Sequence, residues 1–314
     1  MYFHNIIQKS KMAKNERGSL DLRPIKIEQG LLGHQDGSAL FSFGPVSALA
    51  AVSGPSEVRI RDERTDRSAL QIHFTPLQGI AGTSATSFES ALQGIWQNTL
   101  QLHLYPRSLV QIHLQTYASP PQLVSNPLLH SDQRTPIDQP PIQPPHPDAS
   151  ISVSLRAAHI NATTLACLDG SIPMRSMIAA CSAVVIRKGI RFNLMRGWRA
   201  GETNQSEKEI KIDSDQFEIL LDPTPYEESL AKSTHIFAFA FEKLSNSSTS
   251  TPQSDSYSEM IYNDSQGLQS GSDYQNCLSL CREASQNIVN LMRDTMSQRL
   301  LGDQQKERDI IMDA

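Results

Sequence analysis

Residues 36–55 read Asp-Gly-Ser-Ala-Leu-Phe-Ser-Phe-Gly-Pro-Val-Ser-Ala-Leu-Ala-Ala-Val-Ser-Gly-Pro, an order that few backbones accept. Asp36-Gly37-Ser38 is a tight-turn pattern between apolar runs. Ala39–Phe43 then runs to a second break at Gly44-Pro45. Val46–Val52 follows, small and apolar on both phases, as a strand covered on both faces requires. Gly54-Pro55 ends it, and Arg59, Arg61 and Arg64 come directly after. Gly30–Glu63 therefore reads as a buried hairpin with a basic exit.

The remaining periodicities place the other elements. Ala69–Phe74 and Val110–Tyr117 alternate with period two, as half-buried strands do, and leave His73 and His113 on the polar phase. Thr86-Ser87-Phe88-Glu89 fits a capping box and predicts a helix over Thr86–His103. Ser154–Leu168 predicts a helix rich in small residues, suited to close packing on a sheet. Ser176–Ile186, Phe217–Leu221 and His235–Glu242 read as strands, and Met260-Ile261-Tyr262 completes a hairpin. Tyr274, Leu278, Cys281, Ile288, Leu291 and Met292 recur at helical spacing and predict a long C-terminal helix over about Asp273–Leu300.

Three inserts interrupt this pattern, at about 119–150, 192–209 and 245–258. The first holds nine of the 18 prolines and cannot build ladders or helices. Residues 1–20 read as a disordered leader and 301–314 as a flexible tail, leaving a single domain over 21–300. Strands, helix, strand, helix, strands, helix is an α+β order, with helices packed on mixed sheets.

Composition narrows the function classes. A net charge of -5 excludes a general polyanion binder, so RNA contact needs a local patch. No secretory or membrane-spanning pattern is read, and no membrane partner is expected. The four cysteines have no zinc spacing; Cys277 and Cys281 lie one helical turn apart, and their buried packing outweighs a metal reading. Neither a metal nor a cofactor is expected.

Four stretches resemble the RNase PH family, and within it the subunits of the exosome ring. They are the opening hairpin, Leu104-Tyr105-Pro106-Arg107-Ser108, the run Leu155–Arg175, and Leu221-Asp222 through Glu228-Ser229. The resemblance implies an RNase PH-like fold (ribosomal protein S5 domain 2-like). It also implies a ring built with other RNase PH-like exosome subunits and cap subunits, with RNA threading the pore in 3′-to-5′ processing and decay. Nucleus, nucleolus and cytoplasm are the implied locations.

Active members of that family hold inorganic phosphate on a Gly-Gly-Thr-Arg loop at a helix start and carry two aspartates six positions apart. The matching positions here are Val153, Ser154, Leu155 and Arg156, followed by Asp222 and Glu228. Only Arg156 survives from the loop, and without its glycines the backbone wraps an anion less closely. Carboxylates without a phosphate cradle repel the substrate, so a non-catalytic subunit is expected. Asp222 and Glu228 are degenerate catalytic candidates and Arg156 a degenerate phosphate-binding one. An active phosphate-dependent 3′-to-5′ exoribonuclease is the alternative, and a scaffold using the proline-rich insert is a weaker third.

Arg59, Arg61 and Arg64 are the RNA-binding candidates. Asp62, Glu63 and Asp66 interleave with them, so a salt-bridged surface accounts for the same composition.

Overall fold

The computed structural model describes residues 18–77, 79–120, 151–187, 217–243, 256–268 and 270–312. The expected leader through residue 17 and most of the three inserts lie outside the described residues.

The first five strands form one sheet. They are β1 (Ile25–Gln29), β2 (Gly37–Phe43), β3 (Val46–Glu57), β4 (Ala69–Thr75) and β5 (Ser108–Ala118), in the order β1-β2-β3-β5-β4. Only β4 and β5 run parallel, as the crossover through helix α1 (Thr83–Thr99) requires. The second sheet holds β6 (Met177–Arg187), β7 (Phe217–Leu221), β8 (Ser233–Lys243) and β9 (Ser256–Gly267), in the order β7-β6-β8-β9. Helix α2 (Val153–Asp169) packs against β2 and β3 on one side and β6 and β8 on the other. The short α3 (Pro225–Ser229) follows β7, and the long α4 (Gly271–Met312) lies on β6 and β8.

A helix between two sheets has no wet face, and α2 buries 14 residues. Its alanines let both sheets come close, while its polar residues are bonded inside the core. Asn161 donates to the Ala180 carbonyl (3.0 Å) and accepts from the Ala180 amide (2.8 Å). It completes the β6 ladder where β7, which pairs only with Ala183–Arg187, has ended. Thr164 donates to the Ile178 carbonyl (2.8 Å), and the buried His159 pairs with Thr116 (3.1 Å).

The tight turn expected at Asp36-Gly37-Ser38 is not found: the chain turns and bends over residues 33–36, and Gly37 and Ser38 already belong to β2, yet each of the three has a specific use. A Cβ on Gly37 would stand 2.2 Å from the Ala166 carbonyl oxygen and 2.4 Å from the Gly170 nitrogen, so only glycine fits beside the end of α2. Asp36 accepts from the Gly54 amide (2.7 Å), and the Ser38 hydroxyl accepts from the Leu32 amide (3.0 Å).

Several boundaries differ from the sequence expectation. Strand β3 continues through the cis Gly54-Pro55 bond to Glu57, with a register shift against β5 between Ser53 and Ser56. Helix α1 starts at Thr83, capped by Gly82 without a side-chain bond, so there is no capping box at Thr86. Glu89 turns to the sheet instead and accepts from the Phe74 amide (2.6 Å). The helix stops at Thr99; a separate 3-10 turn covers Leu102–Leu104. Strand β9 is far longer than Met260–Tyr262, and α4 runs on to Met312 where a tail was expected past Leu300.

Candidate phosphate and RNA site

The start of α2 gathers the three residues expected from the phosphate and acid motifs. Asp222 follows β7 at φ +48, a left-handed conformation that Asp tolerates better than most side chains. The Asp222 amide donates to the Ser182 carbonyl (2.8 Å), turning the side chain inward. There it accepts from Arg23 Nε (2.6 Å), the Arg23 amide (3.2 Å) and the Ser154 hydroxyl (2.7 Å). Arg23 Nη2 also reaches Ser154. Asp222 is 0% exposed and Arg23 6%. The acid is thus the centre of a buried ion pair that joins the entry to β1, the exit of β7 and the first turn of α2.

Glu228 is set by α3, whose start is a true capping box. The Thr224 amide donates to Glu227 (2.8 Å), the Glu227 amide donates to the Thr224 hydroxyl (3.3 Å), and Pro225 opens the helix. One residue on, Glu228 Oε1 accepts from the Val153 amide at 2.7 Å. Helix starts present free amides and a partial positive charge to anions. Here the chain's own carboxylate takes that place. Burial pushes the Glu228 carboxyl up, while the Val153 amide and the nearby Arg156 and Arg23 charges pull it back in part.

Arg156 does not face an open anion site. Its Nη1 meets Asp264 Oδ2 at 2.6 Å, its Nη2 bonds the Tyr262 hydroxyl, and the guanidinium lies 5.4 Å from the centre of the Phe88 ring. The side chain is 11% exposed. Its charge is answered by β9, so the degenerate phosphate-binding candidate is held by Asp264 and Tyr262. Asp222, the degenerate catalytic candidate, is likewise engaged within the fold, by Arg23 and Ser154.

Arg59, Arg61 and Arg64 are exposed, on the loop after β3. The Asp62 amide donates to the Arg59 carbonyl (2.8 Å), and Arg61 approaches Asp62 only at 3.7 Å. The Arg107 amide donates to the Arg64 carbonyl (3.0 Å), and the Arg107 side chain meets Glu63 at 3.3 Å. Exposed pairs of this kind contribute about 0–1 kcal/mol and leave the arginines available to phosphates.

Among the described residues the histidines and cysteines carry no comparable geometry. His73 and His113 stack on the outer face of the first sheet, centroids 5.3 Å apart. His159 is buried between Phe74 and Phe88, which lowers it to about 3. All four cysteines are buried and free, burial raising Cys167 and Cys277 to about 12. Among the described residues no three His, Cys, Asp or Glu are grouped to hold a metal, and no helix is long and apolar enough to cross a membrane.

Sequence reasoning missed Arg23, Tyr262 and Asp264. Arg23 and Asp222 lie 199 positions apart, and Arg156 and Asp264 lie 108 apart, so no local spacing marks either pair.

Residues 21–173 match the family described as 3′ exoribonuclease family, domain 1, or RNase PH. The exosome complex component RRP46 of Saccharomyces cerevisiae is 25% identical over 281 residues, 88% of this chain and 99% of the yeast protein. The exosome complex component Rrp41 of Thermococcus kodakarensis is 28% identical over 205 residues, 62% of this chain and 68% of that protein. The crystal structure of rice Rrp46 superposes with a TM-score of 0.62 at 20% identity, covering 90% of this chain and 98% of the rice chain.

Proposed function

We propose that this chain, whose residues 21–173 match the RNase PH family, is a non-catalytic subunit of an exosome-type ring. In this reading it assembles with other RNase PH-like chains and cap subunits and guides RNA through the pore. It supports 3′-to-5′ processing and degradation of ribosomal and other RNAs in the nucleus, nucleolus and cytoplasm. The likeness to yeast RRP46 along nearly the whole of both chains supports the partners. The observation that carries the non-catalytic part is the Glu228 carboxylate on the Val153 amide. Phosphorolysis needs a phosphate seat, and this one is filled by an internal anion.

The alternative, an active phosphate-dependent exoribonuclease, draws on one fact: Arg156, Asp222 and Glu228 do converge on the first turn of α2. Native mass spectrometry of the tagged chain purified from its own cells separates the two readings. A hetero-oligomer of different RNase PH-like chains with cap proteins is the expected result. A homo-oligomeric ring would favour the enzyme.

A further inference from the structure

Three stretches distant in sequence meet at the C-terminal end of α1. The Arg175 amide donates to the Thr99 carbonyl (2.9 Å), the Gln101 amide to Pro173 (3.0 Å) and the Ser68 amide to Leu102 (2.9 Å). Leu100 and Met174 add an isolated bridge. These ties shape a cavity of about 370 Å³ whose polar walls are Arg67, Gln97, Asn98, His103 and Arg175. Asp66 is the one acid among its described lining residues, and it pairs with Arg67 at 3.2 Å in the open. Such a pair yields to a better anion at little cost.

We infer that this cavity binds a phosphate group of RNA. Guanidinium groups are planar forks that match phosphate oxygens, and two of them line one cavity. Gln97 and Asn98 add amide donors; Asn98 holds the Gly94 carbonyl with its Nδ2 (3.1 Å), which has a second hydrogen to give. The backbone ties fix the walls before any ligand arrives, which lowers the cost of ordering. An adjoining cavity of about 440 Å³ shares Arg175 and Asn98 but carries Glu242 and Glu259, so an anion is steered to the first. The RNA source follows from continuity: Arg67 ends the same loop that exposes Arg59, Arg61 and Arg64. The site rests on the RNA-guiding reading only for that source.

The test is fluorescence anisotropy of the full chain with a labelled single-stranded RNA of about twelve nucleotides. Nuclear magnetic resonance titrations with inorganic phosphate and with adenosine 5′-monophosphate run beside it. Arg67→Glu with Arg175→Glu is expected to weaken RNA binding about tenfold at about 50 mM salt and to reduce the salt slope by about two contacts. Arg175→Lys keeps the charge and should retain most of the affinity. If RNA binding holds but phosphate and the mononucleotide shift these residues, and the double variant abolishes the shift, the phosphate site stands with a free anion as its ligand. Unchanged RNA binding with no phosphate response overturns it. Arg59→Glu with Arg61→Glu in the same assay reports on the loop alone, so a loss confined to that variant upholds the loop and sinks the cavity.

Discussion

Glu228 sets its carboxylate 2.7 Å from the main-chain amide of Val153, the first residue of α2. A family of phosphorolytic folds would place its phosphate at this helix start. An incoming dianion would have to displace a buried carboxylate and then sit beside Asp222, whose charge already belongs to Arg23.

The Glu228 seat has a pH signature. Burial, the largest influence, raises this carboxyl above the usual glutamate value of 4.5. A carboxyl raised on folding binds more protons in the folded chain than in the unfolded one, so its contribution to stability falls as pH rises through the window above 4.5. Glu228→Gln removes the titration. The variant is expected to be the more stable form at pH 7, with the gap narrowing as pH falls to 4. Urea unfolding of both proteins across that range checks this; a gap that stays constant would contradict it.

The Arg23–Asp222 pair is structural. Asp222→Asn strands a guanidinium that is 6% exposed, and a loss of about 3–5 kcal/mol is expected. Arg23→Met with Asp222→Asn removes both charges, keeps a residue suited to the left-handed turn, and should recover much of that loss. Denaturant midpoints measure it, and a double variant as unstable as Asp222→Asn would argue against the pairing.

Arg156 and Asp264 couple α2 to β9. A double-mutant cycle with Arg156→Ala and Asp264→Ala should return a coupling of about 1–2 kcal/mol. Simple additivity would mean that the Arg156 charge is not committed to β9.

Arg59 and Arg61 are exposed and weakly paired, so charge reversal at both should weaken RNA binding by the assembled ring, more at low salt than at high. Equal binding at every salt concentration would relegate them to surface ion pairs.

Much of the fold was legible because it rests on local patterns. The hairpin that breaks at Gly44-Pro45 between β2 and β3, the alternation in Val110–Tyr117 and the small-residue helix at Ser154–Leu168 each carry their own local signal. Boundaries failed where tertiary bonds overrode a local pattern: Glu89 left its capping box for the Phe74 amide. The site was legible only as residue types at matching positions. That Arg156, Asp222 and Glu228 meet followed from the resemblance. What each is bonded to did not, because Arg23 and Asp264 come from distant stretches with no pattern to mark them.

The most direct measurement is phosphate-dependent release of nucleoside diphosphates from RNA by the assembled complex, with wild-type chain and with Glu228→Gln. Equal rates are expected on the proposed non-catalytic reading, in which Glu228 occupies the phosphate seat. A drop of about tenfold or more, which corresponds to about 1.4 kcal/mol of lost transition-state stabilisation, would contradict the non-catalytic reading.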